Sequence, residues 1–314
     1  MTKASFVQPD GWKKDAYFYT HIIMKILNKK TIAESSATKI TELEIHAPLI
    51  AAKILPGQFI VIMVKEEGER IPLTVVNKDL SVGSITLIVQ EIGFSTRLLG
   101  GLNPGDSIYA IAGPMGHATE VKNFGHIILI GGGVGIAELY PLAKAMKEAG
   151  NNVTTILGAR TKELLLLENE LKAVSDQFHI TTDDGSYGKK GFVTDVLKEL
   201  LSNEQQTMNP ASPVGRYQLI YAVGPIPMMR LVAEVTKEFN IKTIVSLNAL
   251  MVDATGMCGG CRVKIGDKVK FSCVDGPEFD AHKVDWDELV KRTKTYIEKE
   301  NHICRLNEAQ NYGK

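Results

Sequence analysis

The sequence predicts a multidomain β plus α/β protein. An N-terminal antiparallel β-barrel is followed by a parallel-sheet α/β domain, then by a small cysteine-bearing segment with a terminal helix. Three observations predict it. Short apolar runs punctuated by turn signals fill about residues 24–118. Strand-like and helix-like runs alternate through about 119–245. Three of the four cysteines, Cys258, Cys261 and Cys273, fall within sixteen residues, a clustering that reads as metal binding before disulfides in a chain of this size.

Composition narrows the classes. The 314 residues suffice for two or three domains. With 36 basic and 36 acidic side chains, 44% hydrophobic and 23% charged residues, no phosphate-neutralising surface is expected, and therefore no nucleic-acid partner. No apolar run approaches the ~18 residues that cross a bilayer, and no secretory leader pattern is present. The expectation is a cytoplasmic chain without a membrane partner.

Taken in order, residues 1–23 read as an irregular N-terminal extension. The 24–118 barrel has alternation at Ile40–His46 and apolar runs at Phe59–Val64 and Ser84–Gln90, separated by turns at Pro56-Gly57, Glu67-Gly68, Pro104-Gly105 and Pro114-Met115-Gly116. In the 119–245 domain, strands are expected at His126–Ile130, Asn152–Gly158, Phe178–Thr182, Gln218–Val223 and Lys242–Ser246. Helices are expected at Ala137–Ala149, Lys162–Val174, Phe192–Leu201 and Pro227–Phe239. The cysteine segment is 246–283. The remainder, 284–314, opens with a helix from about Asp285 to Glu300, with Asp285 as cap, Glu288 at the capping-box position and a stripe of Trp286, Leu289, Val290, Tyr296 and Ile297.

The cysteine spacing is Asp253-x4-Cys258-x2-Cys261-x11-Cys273. With cysteine in place of the aspartate, the first three positions form C-x4-C-x2-C, the plant-type [2Fe–2S] spacing. Glycines in A-T-G-M-C-G-G-C let the backbone wrap closely and aim N–H groups at sulfur. A tetrahedral zinc site and three thiols in an ordinary core are the competing readings. Asp253 is preferred as fourth ligand over Cys304, which follows the last helix. A carboxylate donates less electron density than a thiolate, so it shifts the reduction potential.

In the α/β domain, Gly131-Gly132-Gly133-Val134-Gly135 follows a strand and opens a helix, the context in which backbone N–H groups receive a pyrophosphate. Tyr221-Ala222-Val223-Gly224-Pro225 ends a later strand, and Pro227-Met228-Met229 opens the next helix. Both loops belong at the carboxyl ends of parallel strands. Arg160 follows the strand ending at Ala159 and suits ribose or phosphate; a solvated surface arginine fits the same position. In the barrel, Arg70-Ile71-Pro72-Leu73-Thr74 pairs a guanidinium with a hydroxyl, and Gly93-Phe94-Ser95-Thr96 adds hydroxyls at a helix start, which together suggest a flavin seat.

This order of barrel, G-G-G-V-G and V-G-P-x-P-M loops, and cysteine loop resembles the ferredoxin reductase-like family over about residues 24–300. Within it the chain is similar to the electron-transfer subunits of class 1B dihydroorotate dehydrogenases, and more so to the small (alpha) subunits of NADH-dependent reduced ferredoxin:NADP+ oxidoreductases. The run Ser246–Asp253, the cluster loop and the run Cys273–Asp285 carry the closer match. The resemblance implies FAD at Arg70, Pro72, Leu73, Thr74, Ile88, Val89, Gln90, Gly93, Ser95 and Thr96. It implies NAD(H) at Gly132, Gly133, Val134, Gly135, Arg160, Gly224, Pro225 and Met228, and a [2Fe–2S] cluster on Asp253, Cys258, Cys261 and Cys273. The partner it implies is a larger flavoprotein subunit with further redox centres, and ferredoxin indirectly; electron-bifurcating members couple NAD(H), NADP(H) and ferredoxin. Three departures stand out. Arg70 lies one residue early for the R-x-Y-[ST] flavin motif, with Leu73 in place of its aromatic. Val223 replaces the cysteine of the C-G-P loop. Asp253 stands where dihydroorotate-type subunits carry cysteine.

The expected activity is NAD(P)H-dependent electron transfer through FAD to the cluster, with no protein acid–base residue. The alternatives are the electron-transfer subunit of dihydroorotate dehydrogenase and a non-enzymatic, redox-sensing adaptor.

Overall fold

The structure, a computed structural model, describes residues 24–34, 38–207 and 217–312; the N-terminal extension at 1–23 lies outside them. The barrel region comprises β1 (Met24–Glu34), β2 (Lys39–His46), α1 (Pro48–Lys53), β3 (Phe59–Met63), β4 (Arg70–Thr74), β5 (Asn77–Asp79), β6 (Ser84–Gln90), α2 (Phe94–Gly100), β7 (Ser107–Ile108) and β8 (Ala110–Met115). The strands wrap one core as two antiparallel sheets, ordered β5-β6-β2-β1-β7 and β4-β3-β8. Leu43, Ile45, Ile60, Ile62, Ile85 and Leu87 are fully buried in that core. Pro72, which has no N–H to donate, sits on the edge strand β4. Strand alternation explains why β3 is apolar throughout. Ile60 and Ile62 enter the barrel core, while Phe59 and Val61 join a second core shared with the cysteine segment.

The α/β region comprises β9 (His126–Gly132), α3 (Gly135–Glu148), β10 (Asn152–Ala159), α4 (Glu168–Ala173), β11 (Gln177–Thr182), β12 (Lys189–Lys190), α5 (Val193–Thr207), β13 (Tyr217–Val223), α6 (Ile226–Glu238) and β14 (Thr243–Ser246). Its sheet runs β12-β11-β10-β9-β13-β14 in parallel. β9 is buried on both faces: Ile127 and Leu129 pack with α3, Ile128 and Ile130 with α6. From β9 the chain first builds outward through β10 and β11, then returns to the other side of β9 with β13 and β14. The crevice between β9 and β13 is therefore the topological switch point, where open α/β sheets bind ligands.

The helix expected at Lys162–Val174 is a correction. A 3-10 turn at Lys162–Leu164 and the short α4 are separated by residues 165–167, with Leu167 in the left-handed region at φ 51°. Four consecutive leucines, Leu164–Leu167, cannot all share one helical face; breaking the helix packs all four against the α3 side of the sheet.

The last region comprises β15 (Arg262–Ile265), β16 (Lys268–Phe271), α7 (Ser272–Asp275), β17 (Glu278–Asp280), α8 (Trp286–Thr293) and α9 (Ile297–Tyr312). β17 pairs antiparallel with β14 and so fastens the segment to the edge of the parallel sheet. Asp285 caps α8 as expected, accepting from Glu288 N at 3.0 Å. The single helix expected to Glu300 is interrupted, with the turn at residues 294–296. Thr293 and Thr295 donate their hydroxyls to the carbonyls of Val290 and Arg292, the local bonding that competes with helix continuation. Tyr296 and Ile297 are exposed rather than part of the packed stripe.

Candidate functional site

Two helices begin over the switch-point crevice. α3 starts at the end of the Gly131–Gly135 loop, and α6 starts after Gly224-Pro225. The loops touch. A Cβ on Gly135 would stand 2.8 Å from the Val223 carbonyl and 2.9 Å from Gly224 backbone atoms; one on Gly132 would stand 2.4 Å from Met228 Sδ. Gly133 is different: its φ is +56°, and a Cβ there would meet open space. The pair of loops thus forms a backbone cradle with its open side above Gly133 and the half-exposed Val134, beside two helix N-termini, which suits a pyrophosphate. Arg160 is exposed just beyond β10, its carbonyl accepting from Asp184 N at 3.3 Å.

On β4 the side chains divide by alternation. Ile71 and Leu73 pack on the barrel core, and Arg70, Pro72 and Thr74 share the other face. Thr74 Oγ1 lies 3.4 Å from Glu138 Oε2 on α3, so that face looks toward the nucleotide loops. On β6, Ile88 packs with the α3 core, Val89 with the barrel core, and Gln90 donates to Thr38 Oγ1 at 3.1 Å. At α2, Thr96 Oγ1 accepts from Gly93 N at 3.0 Å and from Ile92 N at 3.1 Å, capping the helix. Ser95 Oγ donates to Glu69 Oε2. Both hydroxyls singled out in the sequence thus already hold local structure.

The cysteine loop is shaped by the β15–β16 hairpin. Cys261 precedes β15 and Cys273 follows β16; because Arg262 pairs with Phe271, the two thiols return side by side, Sγ to Sγ 3.1 Å, both buried. The hydrogen bond from Cys273 holds the Cys261 thiol down at about 6, helped by backbone N–H groups of Cys273 and Ser272, and the same partnership pushes Cys273 up. Cys258 lies exposed on the rim. Asp253 accepts from Thr255 N at 2.8 Å. Its carboxyl lies below the ordinary carboxylate range; burial works against this, and bonds from Thr255 and the Cys258 side chain outweigh it, with the Arg70 charge adding to them. Ala254, Gly256 and Gly259 take left-handed φ of 61°, 85° and 66°, which coil the loop around the thiols. Arg292 of α8 clamps it from outside, donating Nη2 to the Gly260 carbonyl at 2.9 Å. Three thiols, a carboxylate and a tightly coiled backbone fit an iron–sulfur cluster. Among the described residues no three of His, Cys, Asp and Glu converge as a single-metal site. Cys304 sits partly buried on α9.

Sequence reasoning missed a row of polar side chains where the regions meet. Thr74 contacts Glu138, and Ser246 Oγ donates to Glu138 Oε1. Tyr221 OH donates to Glu278 Oε1 at 2.9 Å, and Thr119 Oγ1 donates to that same oxygen. Burial pushes Glu138 up to about 7, with the Glu278 charge adding to it and the Ser246 and Thr74 bonds opposing. Burial likewise raises Glu278 and Tyr221. The available signal was weak: a lone glutamate in the first turn of the apolar helix G-I-A-E-L-Y. A surface groove of about 390 Å³ between β11 and α5 includes none of the predicted residues. Among the described residues, no helix is long and apolar enough to cross a membrane.

Three domain families match the chain: an oxidoreductase FAD-binding domain over residues 24–119, an oxidoreductase NAD-binding domain over 129–234, and the iron–sulfur cluster binding domain of dihydroorotate dehydrogenase B over 248–285. A dihydroorotate dehydrogenase B (NAD(+)) electron transfer subunit homolog of Thermotoga maritima is 45% identical, covering 88% of this chain and 92% of the relative. The dihydroorotate dehydrogenase B (NAD(+)) electron transfer subunit of Geobacillus thermodenitrificans is 34% identical, over 83% and 97% respectively. Among solved structures, a chain from the NADH-dependent reduced ferredoxin-NADP oxidoreductase, determined for insight into flavin-based electron bifurcation, superposes with a TM-score of 0.80. It is 44% identical, and the match covers 90% of this chain and 96% of that one. The chain therefore has the FAD, NAD and iron–sulfur domains of an NAD(P)H oxidoreductase subunit.

Proposed function

The chain belongs to the family of dihydroorotate dehydrogenase B electron-transfer subunits and their homologues, and from that premise we propose that it moves electrons between NAD(H) and a larger partner flavoprotein in flavin-based bifurcation that couples NADH, NADPH and ferredoxin. The observation that supports this reading is the register of Asp253, five residues ahead of Cys258 in the run that also holds Cys261 and Cys273, where the resembled subunits carry a carboxylate ligand. Similarity to the bifurcating oxidoreductase structure supports it further.

When bound, the flavin would supply the exchange between two-electron chemistry with NAD(H) and one-electron chemistry with the iron–sulfur cluster. The chain's own residues bind and orient. Val134 and Gly135 present backbone N–H groups and the α3 N-terminus to the nucleotide pyrophosphate, while Gly132 and Gly133, the latter donating its N–H to the Gly158 carbonyl at 3.0 Å, shape the turn beneath it. Gly224 and Pro225 begin α6 beside them, Met228 packs over Gly132, and Arg160 meets the ribose end. Arg70, Pro72 and Thr74 present the outer face of β4 to the flavin. Leu73, Ile88, Val89 and Gln90 support it from the strands, and Gly93, Ser95 and Thr96 shape the loop at its phosphate. Cys261 and Cys273, both buried, together with the exposed Cys258 and the partly exposed Asp253, would hold the cluster, which would supply one-electron transfer to the partner. The proposed domain limits are 24–118, 119–245 and 246–283, and the proposed compartment is the cytoplasm, whose reducing poise preserves free thiols.

Native purification followed by an assay of NADH with reduced ferredoxin and NADP+ tests the proposal. A larger flavoprotein should copurify and the complex should reduce NADP+ with both donors together. The names of the relatives favour a second reading, delivery of electrons from dihydroorotate; a copurifying partner that oxidises dihydroorotate would replace the first reading with it.

A further inference from the structure

Dividing a hydride leaves a proton behind. NADH loses one proton and two electrons, and an iron–sulfur centre takes only the electrons. Each NADH oxidised on this chain therefore deposits one proton where electron transfer begins, and the groups described so far for cofactor binding include none that would take it.

The buried row offers one. Glu138 is carried in the first turn of α3, next to the nucleotide loop, and Thr74 Oγ1 of the proposed flavin face lies 3.4 Å from its Oε2. The other carboxylate oxygen accepts from Ser246. β14 pairs with β17 so that Ser246 lies opposite Glu278, and Tyr221 on β13, paired with β14, donates its OH to Glu278 Oε1 at 2.9 Å. The row therefore runs Thr74, Glu138, Ser246, Tyr221, Glu278, Thr119, drawing on the barrel, the α/β region and the cysteine segment. Its far end is closed, since a Cβ on Gly57 would stand 2.9 Å from Thr119 N and against both Thr119 Oγ1 and Glu278 Oε1. The groups facing Glu138 are the Thr74 hydroxyl from β4, the Ser246 hydroxyl from β14, the Tyr221 phenol from β13 and the Glu278 carboxyl from β17.

We propose that Glu138, acting through the Thr74 hydroxyl, takes up the proton left when hydride from NADH is divided into single electrons, and later releases it. The step balances as NADH plus the Glu138 carboxylate giving NAD+, the Glu138 carboxylic acid and two electrons, which pass singly to the iron–sulfur centre and its partner. Burial beside Glu278 suits Glu138 to this role, because a carboxyl held up to about 7 both accepts and returns a proton near neutrality. The inference rests on the functional reading above.

Two experiments on the full chain test it. In the first, flavin bleaching and cluster reduction are followed separately after mixing FAD- and cluster-loaded protein with NADH across neutral pH. Glu138→Gln should leave bleaching within about twofold and slow cluster reduction by about a hundredfold or more, the usual span for a lost acid–base group. It should also abolish a pH dependence centred near 7. Unchanged cluster reduction with an unchanged pH profile would overturn the proposal. In the second, carbon-13 NMR of the cofactor-free chain with labelled glutamate should show one carboxyl titrating near 7. Glu278→Gln, which removes the like charge, should move that titration and the kinetic profile to lower pH. A profile that stays put would also overturn the proposal, even if Glu138→Gln does not fold. Wild-type flavin that NADH fails to bleach would instead defeat the functional reading, and this inference with it.

Discussion

Replacing Gly135 by alanine tests the nucleotide cradle. The new methyl would stand 2.8 Å from the Val223 carbonyl oxygen and 2.9 Å from Gly224 N and Cα. All three are backbone atoms, so no side chain can rotate away, and the β9 and β13 loops must part. Such overpacking costs about 1–3 kcal/mol. Alanine's better helix propensity at the start of α3 offsets about 1 kcal/mol, leaving up to about 2 kcal/mol. Expressed as lost preorganisation of the cradle, that is up to about a 30-fold weaker affinity for NAD+. Calorimetric titration of the flavin-loaded variant with NAD+ measures it, and an unaltered flavin spectrum shows that the barrel is untouched. Wild-type affinity together with a wild-type melting midpoint would refute the view that these loops are pressed together to hold the nucleotide.

Gly57→Ala should destabilise the fold by about 1–3 kcal/mol, since φ is +80° and the methyl would meet Thr119 and Glu278; urea unfolding reads this as a lower midpoint at unchanged slope. Asp176 lies below its usual range because of Lys147 and the Val153 N–H. Its stabilisation is therefore present above the ordinary carboxylate range and is lost as pH falls through the depressed value; in Asp176→Asn the acid limb of melting temperature against pH should flatten. Asp253→Cys should lower the cluster's reduction potential, because thiolate donates more electron density than carboxylate; a redox titration followed by electron paramagnetic resonance would contradict the ligand assignment if the potential and spectrum did not change. Removing Arg292 with alanine should loosen the Gly259-Gly260 turn it clamps, seen as faster loss of iron to a chelator.

Much of this architecture is local and was therefore legible in the sequence. His126–Ile130 reads as a buried strand because its apolar run has no polar face, and the structure uses both faces. The Gly131–Gly135 loop announces itself by composition, as do the cysteine spacings. What was not legible depends on strand order and on packing. The Leu164–Leu167 run fits a helix by propensity and breaks one by packing. Ser246 and Glu278 become neighbours only because β17 adds to the sheet beside β14. Arg292 meets the cysteine loop from a helix more than thirty residues downstream, and only where α8 docks decides that. The hydroxyls of Ser95 and Thr96 looked free for a phosphate in one dimension and are committed to Glu69 and to the α2 cap in three.

The most direct test is to mix the purified chain, anaerobically and without any partner, with NADH, and to record the flavin absorbance and then the low-temperature paramagnetic resonance spectrum. A bleached flavin followed by the signal of a reduced two-iron cluster, with iron and acid-labile sulfide in equal amounts, is the predicted result. A flavin that bleaches while the chain carries no iron, or a cluster that stays oxidised, would show that Asp253 and the three cysteines do not form the outlet for electrons from NADH.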